Sequence, residues 1–386
     1  MQPGTDERLM ARALRLAAHG LYTADPNPRV GCVIARDGAV VGEGWHAVAG
    51  EDHAEVIALR AAGEQAHGAT AYITLEPCCH QGRTPPCTDA LIAAGIARVV
   101  CAMRDPDPRV AGRGFRLLRD AGIRVDRLEG LASEARELNI GFIKRMTTGR
   151  PWVRVKLAVS LDGRTALASG ESRWITGEAA RTDVHRWRAR SSCILTGSGT
   201  VLADDPALDV RLDASEMGLA PGQAITGPWV AIADGQLRTP ATARLLDRHA
   251  CVRVFTQAGE TVSAGALHDR GVETIAVAAG EDGRLQLTEL LQTLGRLRAN
   301  EVHVEAGATL CGALLAAGVV DELLWYVAPT ILGDDARGAF AMPAIDAMTE
   351  RVRLHVREVR HVGSDLRIRA YPVVDRDHER RPTCRL

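Results

Sequence analysis

Any fold this chain adopts must bring three metal-capable side chains together: His53, which has Glu55 two positions on, Cys78 behind Pro77, and Cys87 behind Pro86. One imidazole and two thiolates give a borderline-soft ion three protein ligands. The fourth tetrahedral position stays open for water, as in a catalytic zinc site and unlike a structural one. Glu55 then becomes the proton carrier beside that water. Local sequence supplies a frame for the ligands. His53 to Ala62 reads as an amphipathic helix stopped by Gly63, with His53 in its first turn. There the positive end of the helix dipole favours a neutral, ligating imidazole and an ionised Glu55. Cys87 precedes a second helical run, Thr88 to Ala94, and a helix start lowers a thiol pKa towards the thiolate. Cys78 follows the strand Ala71 to Leu75 and a proline turn. Cys79 or His80, in the intervening loop, would close the fourth position if either turned to the ion, which would make the site structural.

The chain has 386 residues, more than the roughly 100–200 of one domain, so two units are expected. The boundary falls near Thr147 to Pro151, giving 1–149, 150–375 and a polar tail at 376–386. In the first unit, a helix from Asp6 to Gly20 is followed by strands at Val30 to Ala35, Ala71 to Leu75 and Ala97 to Ala102, with the two helices above between them. This alternation predicts an α/β layered fold. The second unit offers strands at Val153 to Ser160, Cys193 to Thr196, Trp229 to Ala233, Cys251 to Phe255, Glu273 to Val277 and Val302 to Glu305, then Glu322 to Ile331, Val352 to Val359 and Leu366 to Tyr371. A formal net charge of -1 and 4% aromatic residues argue against a basic nucleic-acid groove and against base-stacking platforms. The N-terminus is polar, and no apolar run is long enough to span a membrane. The 9 cysteines are odd in number and scattered. That pattern fits a reducing cytoplasm, with Cys32, Cys101, Cys193, Cys251 and Cys311 as small buried hydrophobes.

Two glycine turns in the second unit follow apolar strands, Gly197-Ser198-Gly199-Thr200 and Gly307-Ala308-Thr309. Such turns let backbone amides approach phosphate oxygens. Neither completes the G-x-G-x-x-G fingerprint, so spacing alone leaves a nucleotide site and a ligand-free tight turn both open.

The run Thr74-Leu75-Glu76-Pro77-Cys78-Cys79-His80-Gln81-Gly82-Arg83-Thr84-Pro85-Pro86-Cys87 resembles the long cysteine loop of the riboflavin-biosynthesis deaminases. Asn27-Pro28-Arg29-Val30-Gly31-Cys32-Val33 and Gly42-Glu43-Gly44-Trp45-His46 are similar to the substrate-side segments of that family. Asp105 to Gly114 is similar to a later loop of it, with Asp107 where asparagine is expected. The resemblance implies zinc on His53, Cys78 and Cys87 and acid/base work by Glu55. Asn27, His46, His80 and Arg83 would face the pyrimidine or its ribose phosphate.

Lys156 to Ala166, Gly170 to Thr176 and Leu195 to Leu208 resemble the reductase half of the same bifunctional enzymes. By that resemblance, Ala158, Trp174, Thr200, Asp204 and the segment Gly307, Ala308, Thr309, Leu310, Cys311, Gly312, Ala313 contact NADPH. Ser172, Arg188, Leu208, Arg211 and Glu305 hold the substrate, with Lys156 as a further candidate. Asp234-Gly235-Gln236 stands where family members can present a serine. The implied fold is a cytidine-deaminase-like three-layer domain followed by a dihydrofolate-reductase-like domain. The implied chemistry is zinc-hydroxide deamination of 2,5-diamino-6-(5-phosphoribosylamino)pyrimidin-4(3H)-one to the uracil, then NADPH reduction of ribosyl to ribityl. The substrates are small molecules; no nucleic acid or membrane partner is expected, and a homodimer or higher homo-oligomer is. A deaminase of bases within RNA would need a basic groove, which the neutral charge opposes. A non-catalytic zinc module would need the fourth ligand.

Overall fold

The structure is a computed structural model and describes residues 4–82, 84–219, 223–257, 262–280 and 282–373. In the first half, β1 (Gly31–Arg36) and β2 (Ala39–Trp45) form a hairpin. β1 also pairs antiparallel with β3 (Thr70–Ile73), and β4 (Arg98–Cys101) and β5 (Arg124–Arg127) extend the sheet in parallel to the order β2-β1-β3-β4-β5. Successive strand residues point to opposite faces, and glycines exploit this. A Cβ on Gly31 would come within 2.0 Å of the Ala13 carbonyl in α1 (Thr5–His19). Cβ atoms on Gly42 and Gly44 would meet the Ala58 and Ala54 carbonyls of α2 (Ala54–Ala62) at 2.2 and 2.5 Å. Since Gly31 lies opposite Trp45 and Cys32 opposite Gly44, α1 and α2 cover opposite faces. α3 (Cys87–Ala93) packs beside α2, α4 (Arg113–Asp120) beside α3, and α5 (Ala132–Leu138) beside α1. The result is three layers around a core that includes Met10, Ile34, Tyr72, Ile73, Leu91 and Leu118.

α6 (Ile140–Thr148) ends at Gly149, whose φ of 71° suits a left-handed cap. β6 (Trp152–Ser160) then opens a nine-stranded sheet. A small ladder joins β7 (Arg164–Ala166) to β14 (Arg337–Gly338). The large sheet also contains β8 (Cys193–Gly197), β9 (Trp229–Ala233), β10 (Val252–Thr256), β11 (Glu273–Ala276), β12 (Glu301–Val304), β13 (Glu322–Ala328), β15 (Leu354–Val362) and β16 (Asp365–Pro372), in the order β11-β10-β9-β8-β12-β6-β13-β16-β15. The pairs from β11 to β13 are parallel, and the last two are antiparallel. The helices in this half are α7 (Glu178–Arg190), α8 (Ser198–Asp204), α9 (Val262–His268), α10 (Leu287–Arg296) and α11 (Ala308–Ala316).

The two faces of this sheet differ in character. Val153, Val155, Leu157, Val302 and Val304 pack with Leu290, Leu294, Leu314 and Leu315 of α10 and α11. On the other face, Arg154 stands in register with His303, while Ala180, Val184 and Trp187 of α7 cover Leu324 and Tyr326. That half-polar face is what reaches the functional cavity.

Several expected boundaries move. The strand expected over Glu322 to Ile331 stops at Ala328, and the one expected over Val352 to Val359 becomes Leu354–Val362. β2, β5 and α4 to α6 escape the sequence reading; β5 is half-exposed and polar, so its alternation carries little apolar signal. Cys251, expected to be buried, is exposed, while Cys32, Cys101, Cys193 and Cys311 are buried. Arg83 and the tail 376–386 lie outside the described residues. No helix among the described residues is long and apolar enough to cross a membrane.

Candidate active sites

His53 is the residue that caps α2, not one within its first turn, and Cys87 is the first residue of α3. Cys78 comes in on the chain that leaves β3, and its sulfur accepts the Cys87 backbone N–H at 3.3 Å. His53 Nδ1 lies 3.2 Å from Cys87 Sγ and 3.5 Å from Cys78 Sγ. Ligands placed 2.0–2.3 Å from a tetrahedral zinc are separated by about 3.5 Å, so both separations from His53 suit that ion, and all three donor atoms lie within 4.8 Å of one another. No fourth protein ligand joins the group among the described residues. The Cys79 thiol turns to the Arg109 carbonyl, and His80 Nδ1 is buried without a partner. An ion held by these three donors would keep its fourth tetrahedral position for a non-protein ligand.

Electrostatics differs from the expectation based on helix ends. The His53 pKa is raised, because its contact with Cys78 outweighs burial. Cys78 is the readier thiolate, pulled down by the Cys87 thiol and by His53. Burial, reinforced by Cys78, pushes the Glu55 carboxyl up to about 7 against the opposing charge of His53. The firmly ionised Glu55 that the dipole argument predicts gives way to a carboxyl balanced near neutrality, as a group that both takes and gives a proton requires.

Asn27 and His46 stand beside the cluster. His46 Nδ1 lies 3.2 Å from the Asp52 carbonyl, which leaves Nε2 to accept from Asn27 Nδ2 at 3.1 Å, and its ring lies 5.1 Å from that of His53. Burial lowers the His46 pKa and keeps the ring neutral. The cysteine loop rests on Glu76, which sequence reading passed over. Its carboxylate accepts the backbone N–H groups of Asp105, Gly112 and Phe115 at 2.9 to 3.2 Å and so ties down the 105–115 loop. Within that loop, Asp107 is spent on Arg109, at 2.6 Å from Nη2.

In the second half a cavity of about 1200 Å³ opens at the carboxyl ends of β8, β9 and β12. It gathers Lys156, Ala158, Ser172, Trp174, Arg188, Thr200, Asp204, Leu208, Arg211, Glu305, Gly307, Ala308, Thr309, Leu310 and Ala313. Cys311 and Gly312 do not line it. Cys311 is buried with its thiol on the Ala306 carbonyl, and a Cβ on Gly312 would strike the Ala341 carbonyl at 2.2 Å, so both lie on the packed side of α11. Burial alone would raise the Glu305 pKa, but Arg188, His303 and Lys156 hold it well below the usual range. Arg188 Nη2 meets Glu305 at 2.9 Å, Lys156 Nζ at 3.8 Å. Arg188 is thus already paired, whereas Arg211 is 60% exposed beside Asp209 and His185. Trp174 is 70% exposed, with the Arg181 guanidinium 4.5 Å over its ring. The wall also includes Arg238, Arg244 and Gln257, which no sequence motif had marked.

Arg29 links the halves. Its guanidinium donates to Glu301 at 2.7 Å, to the Leu138 carbonyl at 2.7 Å and to the Arg190 carbonyl at 3.0 Å. Asp25 accepts from Ser192 and Asn300 at 3.0 and 2.9 Å. The segment that carries Asn27 is therefore moored to the second sheet.

Comparison with known proteins covers both halves of the chain. The family described as RibD C-terminal domain matches residues 151–368, and the cytidine and deoxycytidylate deaminase zinc-binding region matches residues 3–103. The chain is 52% identical to the riboflavin biosynthesis protein RibD of Escherichia coli K12, over 94% of this chain and 98% of that protein. Among solved structures, RibD of Acinetobacter baumannii superposes with a TM-score of 0.87 at 45% identity, covering 96% of this chain and 99% of that one. The diaminohydroxyphosphoribosylaminopyrimidine deaminase/5-amino-6-(5-phosphoribosylamino)uracil reductase of Thermotoga maritima does so with 0.82 at 32% identity, over 96% and 99%.

Proposed function

The chain belongs to the RibD family, bifunctional deaminase and reductase enzymes of riboflavin biosynthesis, and from that we propose how its residues divide the work between units 1–149 and 150–375. In the first unit His53, Cys78 and Cys87 hold zinc, and the three-donor cluster with its open fourth position is the observation that carries this reading. When bound, zinc supplies a water acidic enough to attack at neutral pH. Glu55 would carry both protons of the attacking water in turn, the first to the ring nitrogen and the second to the amine that leaves as ammonia from the diaminopyrimidinone ribosyl phosphate. Asn27 and the neutral His46 orient the pyrimidine, and the 78–87 loop, with His80 and Arg83, covers it.

In the second unit the cavity takes NADPH, the hydride source, along the Gly197 to Thr200 and Gly307 to Leu310 turns, with Ala158, Trp174, Asp204 and Ala313 against it. The deaminated substrate lies towards Lys156, Ser172, Leu208 and Glu305. Arg211 receives its phosphate and Arg188 keeps Glu305 ionised. The eight cysteines of the described region are unpaired, which supports a reducing, cytoplasmic setting. β15 is an edge strand exposing Leu354, Val356 and Val359, which supports a homodimer through this unit.

The deciding experiment is ammonia release from the diaminopyrimidinone phosphate. Glu55→Ala should lose about 10²–10⁴-fold in rate with zinc still bound by metal analysis. Unchanged turnover in that variant refutes the role of Glu55. NADPH oxidation should require the deaminated intermediate.

A further inference from the structure

We infer that Arg238 reads the 2′-phosphate of the dinucleotide and so sets the preference of the reductase for NADPH over NADH. This rests on the reading of the cavity as a dinucleotide site. In open parallel sheets a dinucleotide lies across the carboxyl ends of neighbouring strands. Discrimination then falls to a residue beyond one strand end, where a carboxylate binds a free 2′-hydroxyl and an arginine accommodates a 2′-phosphate.

Here the strand end in question belongs to β9, next to β8 and β10 in the sheet. The residue directly after it is an acid, Asp234, which by position alone would suit a free 2′-hydroxyl. The structure removes that acid from contention. Asp234 is 1% exposed, and its Oδ2 accepts both the Thr239 backbone N–H and the Thr239 hydroxyl at 2.7 Å. Oδ1 is buried as well, and Asp234 does not line the cavity.

That closed turn delivers Arg238 to the cavity wall. Nη2 of Arg238 donates to Ser198 Oγ at 3.1 Å, which leans the guanidinium from the β9 turn towards the Gly197 to Thr200 turn. Among the described residues no carboxylate pairs with it, so the remaining N–H groups of the fork are free for an anion. Other cations on the wall are engaged. Arg188 is bound to Glu305, Arg211 stands beside Asp209, and Arg173 donates to the Asp204 carbonyl. Arg244 and Arg284 are the competitors, each with a carboxylate neighbour that disfavours a phosphate: Asp205 accepts the Arg244 backbone N–H, and Asp282 lies 3.9 Å from Arg284 Nε. The arrangement presents a guanidinium with no carboxylate partner among the described residues, on the wall at the end of β9. A guanidinium is suited to a phosphate dianion by its bidentate geometry.

Equilibrium binding of NADPH, NADH, 2′-phospho-AMP and AMP, followed by calorimetry, tests the assignment without turnover. The intact protein should bind NADPH well above NADH and 2′-phospho-AMP well above AMP. Arg238→Ala should weaken NADPH and 2′-phospho-AMP by about ten- to a hundredfold, the worth of a charged hydrogen-bonded contact. Its NADH affinity should stay within about twofold on the same scale, which also reports an intact cavity. Arg238→Lys should fall between, keeping the charge but losing the fork. Equal weakening of NADPH and NADH, no change in either, or loss of discrimination in Arg244→Ala with Arg238→Ala unaffected would each overturn the assignment. An intact protein that prefers NADH would instead overturn the cofactor reading beneath it.

Discussion

At the level of single residues, the two chemistries share no group. The ligand cluster is built from His53, Cys78 and Cys87, and the second cavity draws on residues from Lys156 onwards. Stripping the metal with a chelator should therefore abolish ammonia release while NADPH oxidation on supplied deaminated intermediate stays at its starting rate. A coupled assay before and after chelation reads both, and parallel loss would show that the ion also supports the second site.

The elements around the first site are held close by missing side chains. Gly31 lets α1 lie against β1, and any Cβ there must displace backbone of Ala13 and Ala17, which cannot give way as a flexible side-chain tip would. Gly31→Ala should destabilise the fold by about 3 kcal/mol, at the upper end for overpacking, and urea denaturation measures it. A change under about 0.5 kcal/mol would mean that α1 shifts without cost. β3, β4 and the loop after β4 meet at Glu76, so its carboxylate works as an anchor for backbone, a role visible only once the 105–115 loop has folded back.

Across the whole molecule the halves meet through buried charge. Glu301 is fully buried and takes Arg29 at 2.7 Å, Arg190 at 2.8 Å and Arg154 at 3.0 Å, and the guanidinium of Arg154 lies 4.4 Å over the Trp187 ring. Burial by itself would raise the pKa of Glu301, but the three arginines depress it far below its ordinary 4.5. The unfolded chain therefore binds this proton first as pH falls. The stabilisation is present in full above about 4.5 and is lost as the medium is acidified towards the folded-state pKa. Glu301→Gln should be less stable at pH 7 by about 3–5 kcal/mol, the cost of breaking a buried pair. Its stability should also fall less steeply with acid, as urea midpoints from pH 7 to pH 3 would record. Equal acid slopes for the two proteins would remove Glu301 from this role.

Much of the first site was legible because it is local. The ligand types, the proline before each cysteine and the carboxylate two residues from the histidine are properties of short segments, and donor chemistry does not depend on the rest of the chain. Alternation likewise marked β1, β3, β4 and most strands of the second sheet. It failed at β5 and at strand ends, where half-exposed polar residues erase the period. Which groups are free in the second cavity was decided only in three dimensions. Arg188 is matched to Glu305 across 117 positions. Cys311 and Gly312 share a run with cavity residues but face the other side of their helix, and the turn after β9 buries Asp234 while it places Arg238 on the cavity wall. The reason is physical: covalent spacing determines which atoms a segment can offer, but burial and the pairing of charges depend on neighbours that only the folded chain supplies.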